Sequence, residues 1–451
     1  MLILSIPFLN PEFVREHSSN KTFPWKEYRL DYQPNLQDFP FEILDSSSIV
    51  TLRNSSEGGK NNFTENEKIR FYQKVVAEYN CLVDHEIQLH ERDSIDPANL
   101  ILSYHNFSEE PELEKLEQVI RQMNESQARF VKIAVNVNSY RMLLKISQLL
   151  ALSRKPVIFA GMGRLGFLSR LLHLHLGAVG TFFGLEAAPT ANGQFFESDL
   201  LKFNLRQNTR RTLLGGIIGG KQVYGSLGLE FYNNYFRQND IDAVYLPFAV
   251  DDLSDFFEWF EASHFKDRFY GFSITMPFKQ KFTKQETINL FLPNQNRFLN
   301  TDKSAFQKTI DHGFVQQTDS ILIVGSGATA RVALEVYGLF PNVEISCRND
   351  QDGMKLTHEF NRELIPFVHL AGKEFDLIVN CTTIGMAGEN FLELTNLKSF
   401  KKAIDLPYRE ENTLLTEHCL QKSLPCVDGK MFWQWQAEEQ LAEFLEEINK
   451  C

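Results

Sequence analysis

Leu100-Ile101-Leu102-Ser103-Tyr104-His105-Asn106-Phe107 and Phe130-Val131-Lys132-Ile133-Ala134, whose lysine lies 27 positions beyond that histidine, decide how the first half of this 451-residue chain reads. Each is a short apolar run closed by an ionisable group, the pattern of a buried strand whose carboxyl end carries chemistry. A lysine desolvated at a strand end can lose its proton and attack a ketone, and a histidine beside it can move protons on and off the imine that forms. The plainer reading, a lysine laying its stem along a strand end and a histidine satisfied in the core, fits either stretch taken alone. Outward from these two, apolar runs alternate with helical patterns from residue 1 to about 208. Eight strands are predicted: Leu2–Ile6, Tyr28–Asp31, Ser48–Leu52, Leu82–Ile87, Leu100–Tyr104, Phe130–Val135, Val157–Gly161 and Val179–Leu185. Helices are predicted at Asn66–Tyr79, Glu112–Gln127, Tyr140–Leu152 and Arg164–Leu176, with a short or missing one between strands four and five. This is the alternation of a (β/α)8 TIM barrel, and the polar residues fall at the carboxyl ends of its strands: Glu27 and Arg29, Arg53 and Glu57, Asp84 and Glu86, His105, Lys132, then Arg170.

The bulk of the chain narrows the function classes. More than one domain is the prior at this length. Hydrophobic residues at 43% and charged ones at 23% are globular values, and the net charge of −12 argues against a general binder of nucleic acid or anionic membrane. Six scattered cysteines without a C-x-x-C predict neither a disulfide framework nor a metal site and fit a reducing cytoplasm. The start, Met1 to Phe8, lacks a basic region and reads as a first strand, and no apolar stretch is clean enough for a membrane helix.

Residues 203–212 are polar and basic and read as a short linker or helix end. A second α/β pattern follows, with strands at Leu214–Ile218, Ala243–Ala249 and Phe269–Thr275, helices at Glu230–Arg237 and Asp251–Ser263, and a loop at Gly225-Ser226-Leu227-Gly228. The nucleotide signal is Ser320-Ile321-Leu322-Ile323-Val324, a buried parallel strand, feeding Gly325-Ser326-Gly327-Ala328-Thr329-Ala330 and a helix at Arg331–Leu339. A tight glycine turn opening a helix is a pyrophosphate site, here with Ala330 in place of the third glycine. The next strand, Val343–Ser346, ends in Cys347-Arg348-Asn349 without an acid, and an arginine there favours a 2′-phosphate, hence NADP(H).

Two family resemblances follow from these motifs. Thr51-Leu52-Arg53 with Glu57-Gly58-Gly59, Asp84-His85-Glu86, Ser103 to Phe107, Val131 to Ala134, Met162-Gly163 with Ser169-Arg170, and Gly193-Gln194 resemble type I 3-dehydroquinate dehydratase across nearly the whole first half. The resemblance implies that Lys132 forms a Schiff base with 3-dehydroquinate and that His105 removes the C–H proton and later protonates the departing hydroxyl. It further implies that Arg170 holds the substrate carboxylate, Glu27, Arg29 and Arg53 position hydroxyls, Glu57 and Asp84 tune His105 and Lys132, and Gln194 closes a lid. The lid serine of the family is Thr190 here and its lid proline is Asn192. From about residue 212 onward, Ile274 to Lys279, Asn300-Thr301-Asp302, Asn380 with Thr383 to Met386, Asp405 with Tyr408 and Thr413 to Leu415, and Gly429 with Gln436-Ala437 resemble shikimate dehydrogenase in family order. That implies a catalytic Lys279–Asp302 pair, substrate contacts from Ser226, Thr275, Asn289, Tyr408 and Gln436, and cofactor contacts from Gly325, Ser326, Gly327, Ala328, Arg348, Thr383 and Gly429.

The expected architecture is thus a barrel over 1–208, a substrate-binding domain over 212–315 completed by a C-terminal helix at 430–451, and a Rossmann NADP domain over 316–429. The expected activity is dehydration of 3-dehydroquinate to 3-dehydroshikimate, then NADPH-dependent reduction to shikimate, in the cytoplasm, with small-molecule partners only and an oligomeric state left open. The family's second carboxylate-binding serine is Gly228 and its nearby histidine is Tyr232, so a dehydrogenase half that prefers quinate, with Gly228 leaving room for the extra hydroxyl, is the first alternative. A non-catalytic metabolite sensor is the second, and retention of Lys132 with His105 and Lys279 with Asp302 argues against it.

Overall fold

A computed structural model describes residues 1–89, 94–107, 110–191, 193–279 and 287–450. Its first sheet is the expected barrel: β1 (Leu2–Pro7), β2 (Trp25–Arg29), β3 (Ser48–Thr51), β4 (Leu82–Glu86), β5 (Leu100–Asn106), β6 (Phe130–Asn136), β7 (Val157–Met162) and β8 (Thr181–Phe183). The order is β7-β6-β5-β4-β3-β2-β1-β8, all neighbours parallel. Val179 N–H donates to Val157 O at 2.7 Å and Phe159 N–H to Gly180 O at 3.1 Å, which closes the circle. The period of two sends alternate residues inward. Ile3, Ile49, Leu82, Ile101 and Ile158 form an apolar layer in the interior. Ser5, Glu27, Thr51, Asp84, Ser103 and Lys132, each two residues further along a strand or in register with such a residue, form the polar layer above it.

Two expected elements change their bounds. The second strand starts at Trp25 and stops at Arg29, because Leu30–Tyr32 turns as a 3-10 helix and folds Asp31 back onto Arg29. The helix expected over 164–176 is confined to Gly166–Leu171, and Gly177 takes a positive φ of 95°. Between β4 and β5 the described residues hold only the 3-10 turn Pro97–Asn99, as the short spacing requires. The helix Glu65–Tyr79 is fixed at one end by a reciprocal Thr64–Glu67 capping box and at the other by Asn80 in the left-handed region, φ 52°.

The second sheet holds β9 (Leu213–Gly219), β10 (Ala243–Ala249), β11 (Phe269–Ile274), β12 (Leu290–Leu292) and β13 (Arg297–Leu299) in the order β10-β9-β11-β12-β13. The third holds β14 (Ile321–Val324), β15 (Val343–Cys347), β16 (Leu364–Pro366), β17 (Glu374–Asn380), β18 (Ser399–Asp405) and β19 (Cys426–Asp428). Its order, β16-β15-β14-β17-β18-β19, with every pair parallel, is that of a doubly wound dinucleotide fold. The last helix runs Gly429–Ile448. The chain divides into two compact units, Met1–Gly216 with Lys221–Phe269, and Ile217–Gly220 with Tyr270–Cys451. Within the first, the 203–212 stretch is tied down: Thr212 Oγ1 donates to Asp242 at 2.6 Å and its carbonyl accepts from His175 Nε2 at 3.0 Å. Asp255 accepts from the backbone N–H groups of Tyr140 and Arg141 at 2.8 and 2.9 Å and so caps the helix Tyr140–Leu150 from outside. Among the described residues no helix is long and apolar enough to cross a membrane.

Candidate active sites

The barrel's polar layer converges on Lys132. Its ammonium donates to Asp84 Oδ2 at 2.8 Å and to Glu27 Oε1 at 3.1 Å, and lies 4.1 Å from the centroid of Phe182. Glu27 also accepts from Ser5 Oγ at 2.6 Å and Thr51 Oγ1 at 3.0 Å. Asp84 accepts from Ser103 Oγ at 2.5 Å and from Arg53 Nη2 at 2.7 Å. Burial alone would raise the Asp84 carboxyl, but Arg53 and Lys132 outweigh it and hold it well below the usual range; Glu27 is lowered against burial by Lys132 and Arg29. Both therefore stay ionised beside the amine.

His105 stands at the end of β5 with Nδ1 2.9 Å from Glu57 Oε2 and 3.1 Å from Arg53 Nη1. Its ring stacks on Phe107 at 5.6 Å. Burial, with the charges of Arg53 and Lys132, pushes its pKa well below the ordinary histidine value, so the imidazole is neutral. Burial pushes Glu57 up to about 7, against the pull of Arg53. An ionised Glu57 accepts from Nδ1–H and leaves Nε2 as a base; a protonated Glu57 donates to Nδ1 and moves the histidine proton to Nε2.

Arg170 is 1% exposed and donates to Gly161 O at 2.9 Å and Phe182 O at 3.3 Å. Among the described residues it has no carboxylate partner, and burial lowers its pKa to about 10. Arg29, by contrast, is committed to Asp31 through two bonds of 2.8 and 2.9 Å. Gln194 accepts from the backbone N–H groups of Thr190 and Ala191 at 2.9 and 3.0 Å, and Thr190 Oγ1 donates to Ser5 Oγ at 2.9 Å. Gln194 thus ties its own loop down on Ser5 and hence on Glu27. Asn192, expected at the lid proline's place, lies outside the described residues.

A second polar cluster surrounds Lys279. Its ammonium meets Asp302 Oδ2 at 2.6 Å. Asn289 Nδ2 lies 3.0 Å from each of Asp302 Oδ1, Thr301 Oγ1 and Gln436 Oε1, while its Oδ1 accepts from Thr301 N–H at 2.8 Å. Asn300 caps the helix Thr301–Asp311 and so presents Asp302 from its first turn. Gln440 extends the cluster, donating to Thr301 Oγ1 at 3.0 Å and accepting from Ser273 Oγ at 2.5 Å. Burial raises the Tyr408 phenol, and the Asp302 charge adds to it. Thr275 is held by its backbone, N–H to Ile218 O at 2.9 Å, and is half-buried.

The expected carboxylate loop differs from its reading. Ser226 is an N-cap, and the helix Leu227–Gln238 already contains Gly228. A Cβ at Gly228 would stand 3.1 Å from the Tyr232 ring and 3.2 Å from the Tyr245 ring. Those rings lie 4.4 Å apart and crowd the space that a side chain at position 228 would take.

In the third sheet Gly325 has a φ of 136°, a conformation open to glycine, at the end of β14. Gly327 precedes the helix Ala328–Tyr337, and a Cβ there would meet nothing within 4 Å. Ser326 lies between them, and Ala330 is fully buried where a third glycine would stand. Arg348 and Thr383 are exposed at the ends of β15 and β17. Gly429 has a packing reason of its own: a Cβ would stand 2.4 Å from Leu406 O.

Residues 26–204 match the family described as Type I 3-dehydroquinase, and residues 218–286 the one described as Shikimate dehydrogenase substrate binding domain. The 3-dehydroquinate dehydratase of Streptococcus equi subsp. zooepidemicus is 32% identical over 189 residues, 39% of this chain and 82% of that protein. The chain belongs to the type I 3-dehydroquinate dehydratase family. The chloroplastic bifunctional 3-dehydroquinate dehydratase/shikimate dehydrogenase of Arabidopsis thaliana is 31% identical over 274 residues, 56% of this chain but only 44% of that relative's length. A shikimate dehydrogenase (NADP(+)) of Clostridium botulinum is 26% identical over 246 residues, 49% of this chain and 92% of that protein.

Of the dehydratase residues expected from sequence, the structure brings Glu27, Arg53, Glu57, Asp84, His105 and Lys132 into one network. Ser5, Thr51, Ser103 and Phe182 join it without having been singled out for a role. Ser5 and Thr51 carried one available signal, a hydroxyl interrupting an apolar strand at an inward position.

Proposed function

We propose that the chain carries out two successive reactions, dehydration of 3-dehydroquinate to 3-dehydroshikimate and NADPH-dependent reduction of that product to shikimate. The observation that carries the reading is Lys132 buried between two ionised carboxylates, with the neutral His105 in the same network and Arg170 buried with no acidic partner among the described residues. In the first reaction Lys132 Nζ adds to the ketone, its proton passing to the neutral His105 and from there to the hydroxyl that leaves as water, which gives the imine. The imine acidifies the adjacent C–H. His105 Nε2 removes that proton and returns it to the departing hydroxyl, and hydrolysis frees the amine. Arg170 pairs with the substrate carboxylate, which supplies the anion its site lacks. Glu27, Arg29, Arg53, Thr190 and Gln194 complete the binding site.

In the second reaction Lys279 and Asp302 pass a proton to the carbonyl oxygen as it becomes a hydroxyl, and Asn289 fixes the Asp302 carboxylate for that transfer. Ser226, Thr275, Tyr408 and Gln436 are assigned to the substrate. The Gly325–Gly327 turn fits a pyrophosphate, since Gly327 leaves open space before a helix N-terminus. Ser326, Ala328, Thr383 and Gly429 line that assignment, and Arg348 suits a 2′-phosphate. When bound, NADPH supplies the hydride. We assign residues 1–208 to the first reaction, 212–315 with 430–451 to binding the second substrate and 316–429 to the cofactor, in a reducing compartment such as the cytoplasm.

Borohydride added with 3-dehydroquinate tests the first step. It should inactivate the dehydratase and leave ligand mass on Lys132; mass elsewhere, or an active enzyme that is never trapped, sinks the assignment. Supplying NADPH with 3-dehydroshikimate should consume the cofactor's absorbance, and no consumption refutes the second reaction.

A further inference from the structure

The helix Glu65–Tyr79 buries a charge that the chemistry above does not use. Lys68 is 0% exposed, and its ammonium donates to both oxygens of Glu86 at 2.8 and 2.9 Å. Lysines are almost never fully buried unless paired. Glu86 lies at the end of β4, two residues past Asp84, accepts from Asn54 N–H at 3.4 Å and stands 3.8 Å from Arg53 Nη1. That same Nη1 donates to Ser103 Oγ at 3.0 Å, lies 3.1 Å from His105 Nδ1 and is 3.7 Å from Glu57 Oε2. A chain of charges therefore runs from the outer helix to the histidine: Lys68, Glu86, Arg53, then Glu57 and His105.

We propose that Lys68 is a positioning residue for the dehydration: by holding Glu86 it leaves the Arg53 guanidinium committed to Asp84 and Ser103, beside the imidazole of His105. The inference rests on the dehydratase reading of the barrel. Without the ammonium, the buried Glu86 carboxylate has Arg53 as its remaining nearby cation among the described residues, and a buried carboxylate without a counter-ion is strongly disfavoured. Arg53 Nη1 is then drawn toward Glu86 and away from Ser103 and His105. The charge balance at Glu57 changes too. Glu57 faces Arg53 on its own loop, Asp84 and Glu86 on β4, Lys68 on the helix and His105 on β5. Removing the Lys68 charge disfavours its ionisation, and removing the Glu86 charge favours it.

The test compares Lys68→Met, Glu86→Gln and the double variant K68M/E86Q with the full chain, following kcat and the pH profile of kcat/KM for 3-dehydroquinate. Lys68→Met should lower kcat roughly tenfold or more, as loss of an outer partner of a reacting group does, and move the acid limb to higher pH. Glu86→Gln should move the limb to lower pH, and the double variant, which carries neither charge, should return it toward the parent. A purely structural pair would change the melting temperature of all three and leave the limb in place, and that result overturns the proposal. If Lys68→Met does not fold, the opposite shift in Glu86→Gln and the return in the double variant decide. Titration of the Glu57 carboxyl carbon by 13C NMR, assigned with Glu57→Gln, reads the same shifts without turnover. A chain inert toward 3-dehydroquinate would therefore refute the proposed function while the NMR titration still decides the role of Lys68.

Discussion

At the scale of single residues, the barrel site turns on where protons sit before substrate arrives. Glu57, pushed up to about 7 by burial, selects the histidine tautomer. Ionised, it takes Nδ1–H and frees Nε2 to act as base; protonated, it reverses the arrangement. Dehydration is therefore expected to fall as pH drops through about 7, the pKa of Glu57. Glu57→Gln should abolish that limb and lower kcat on the order of 10–100-fold, as loss of an orienting partner does. A limb that persists in the variant would assign it to another group. Arg170 makes the opposite kind of demand. Arg170, buried with backbone carbonyls and no carboxylate as partners among the described residues, is a standing cost to the fold that a bound anion offsets. Arg170→Met should raise KM for 3-dehydroquinate about ten- to a hundredfold, equivalent to a charge-assisted hydrogen bond of about 1.5–3 kcal/mol, while leaving the melting temperature equal or higher. A drop in both affinity and stability would mean that Arg170 holds the fold together and is not there for an anion.

At the scale of elements, strand ends and helix starts place the chemistry. Strands β1 to β6 contribute through inward-facing polar positions, and Asp302 is delivered by the first turn of a helix capped by Asn300. The helix Leu227–Gln238 shows the limit of reading such a start from sequence. Gly228 looked like open loop, yet it sits in the first turn against two tyrosine rings. Gly228→Ser should therefore destabilise the protein by about 1–3 kcal/mol through overpacking and should not tighten shikimate. Urea unfolding together with kcat/KM for shikimate and quinate measures both; a stable variant with tightened shikimate would show that the rings yield and that the hydroxyl reaches the substrate.

At the scale of the whole molecule, the two clusters draw on separate residues. No side chain of the Lys132 network belongs to the Lys279 network among the described hydrogen bonds. Lys132→Ala should abolish dehydration and leave reduction of supplied 3-dehydroshikimate within about twofold, and Lys279→Ala should do the converse, since sites without shared partners act additively. Loss of both activities from either substitution would show that the reactions are coupled.

The sequence by itself determined the eight barrel strands, the polar residues that follow strands two to six and the glycine turn at Gly325–Gly327, because apolar period and turn chemistry are local properties that neighbouring residues settle among themselves. It also placed Lys132 and His105 at adjacent strand ends, since parallel strands joined by one helix lie side by side. Tertiary structure alone decided which charges meet. Arg29 pairs with Asp31, Lys68 is buried on Glu86, Ser5 joins Thr190 across 185 positions, and Arg170 meets backbone carbonyls but no carboxylate among the described residues. Pairings of that kind depend on how the barrel closes and on which polar groups burial then forces together, and neither is written in the spacing along the chain.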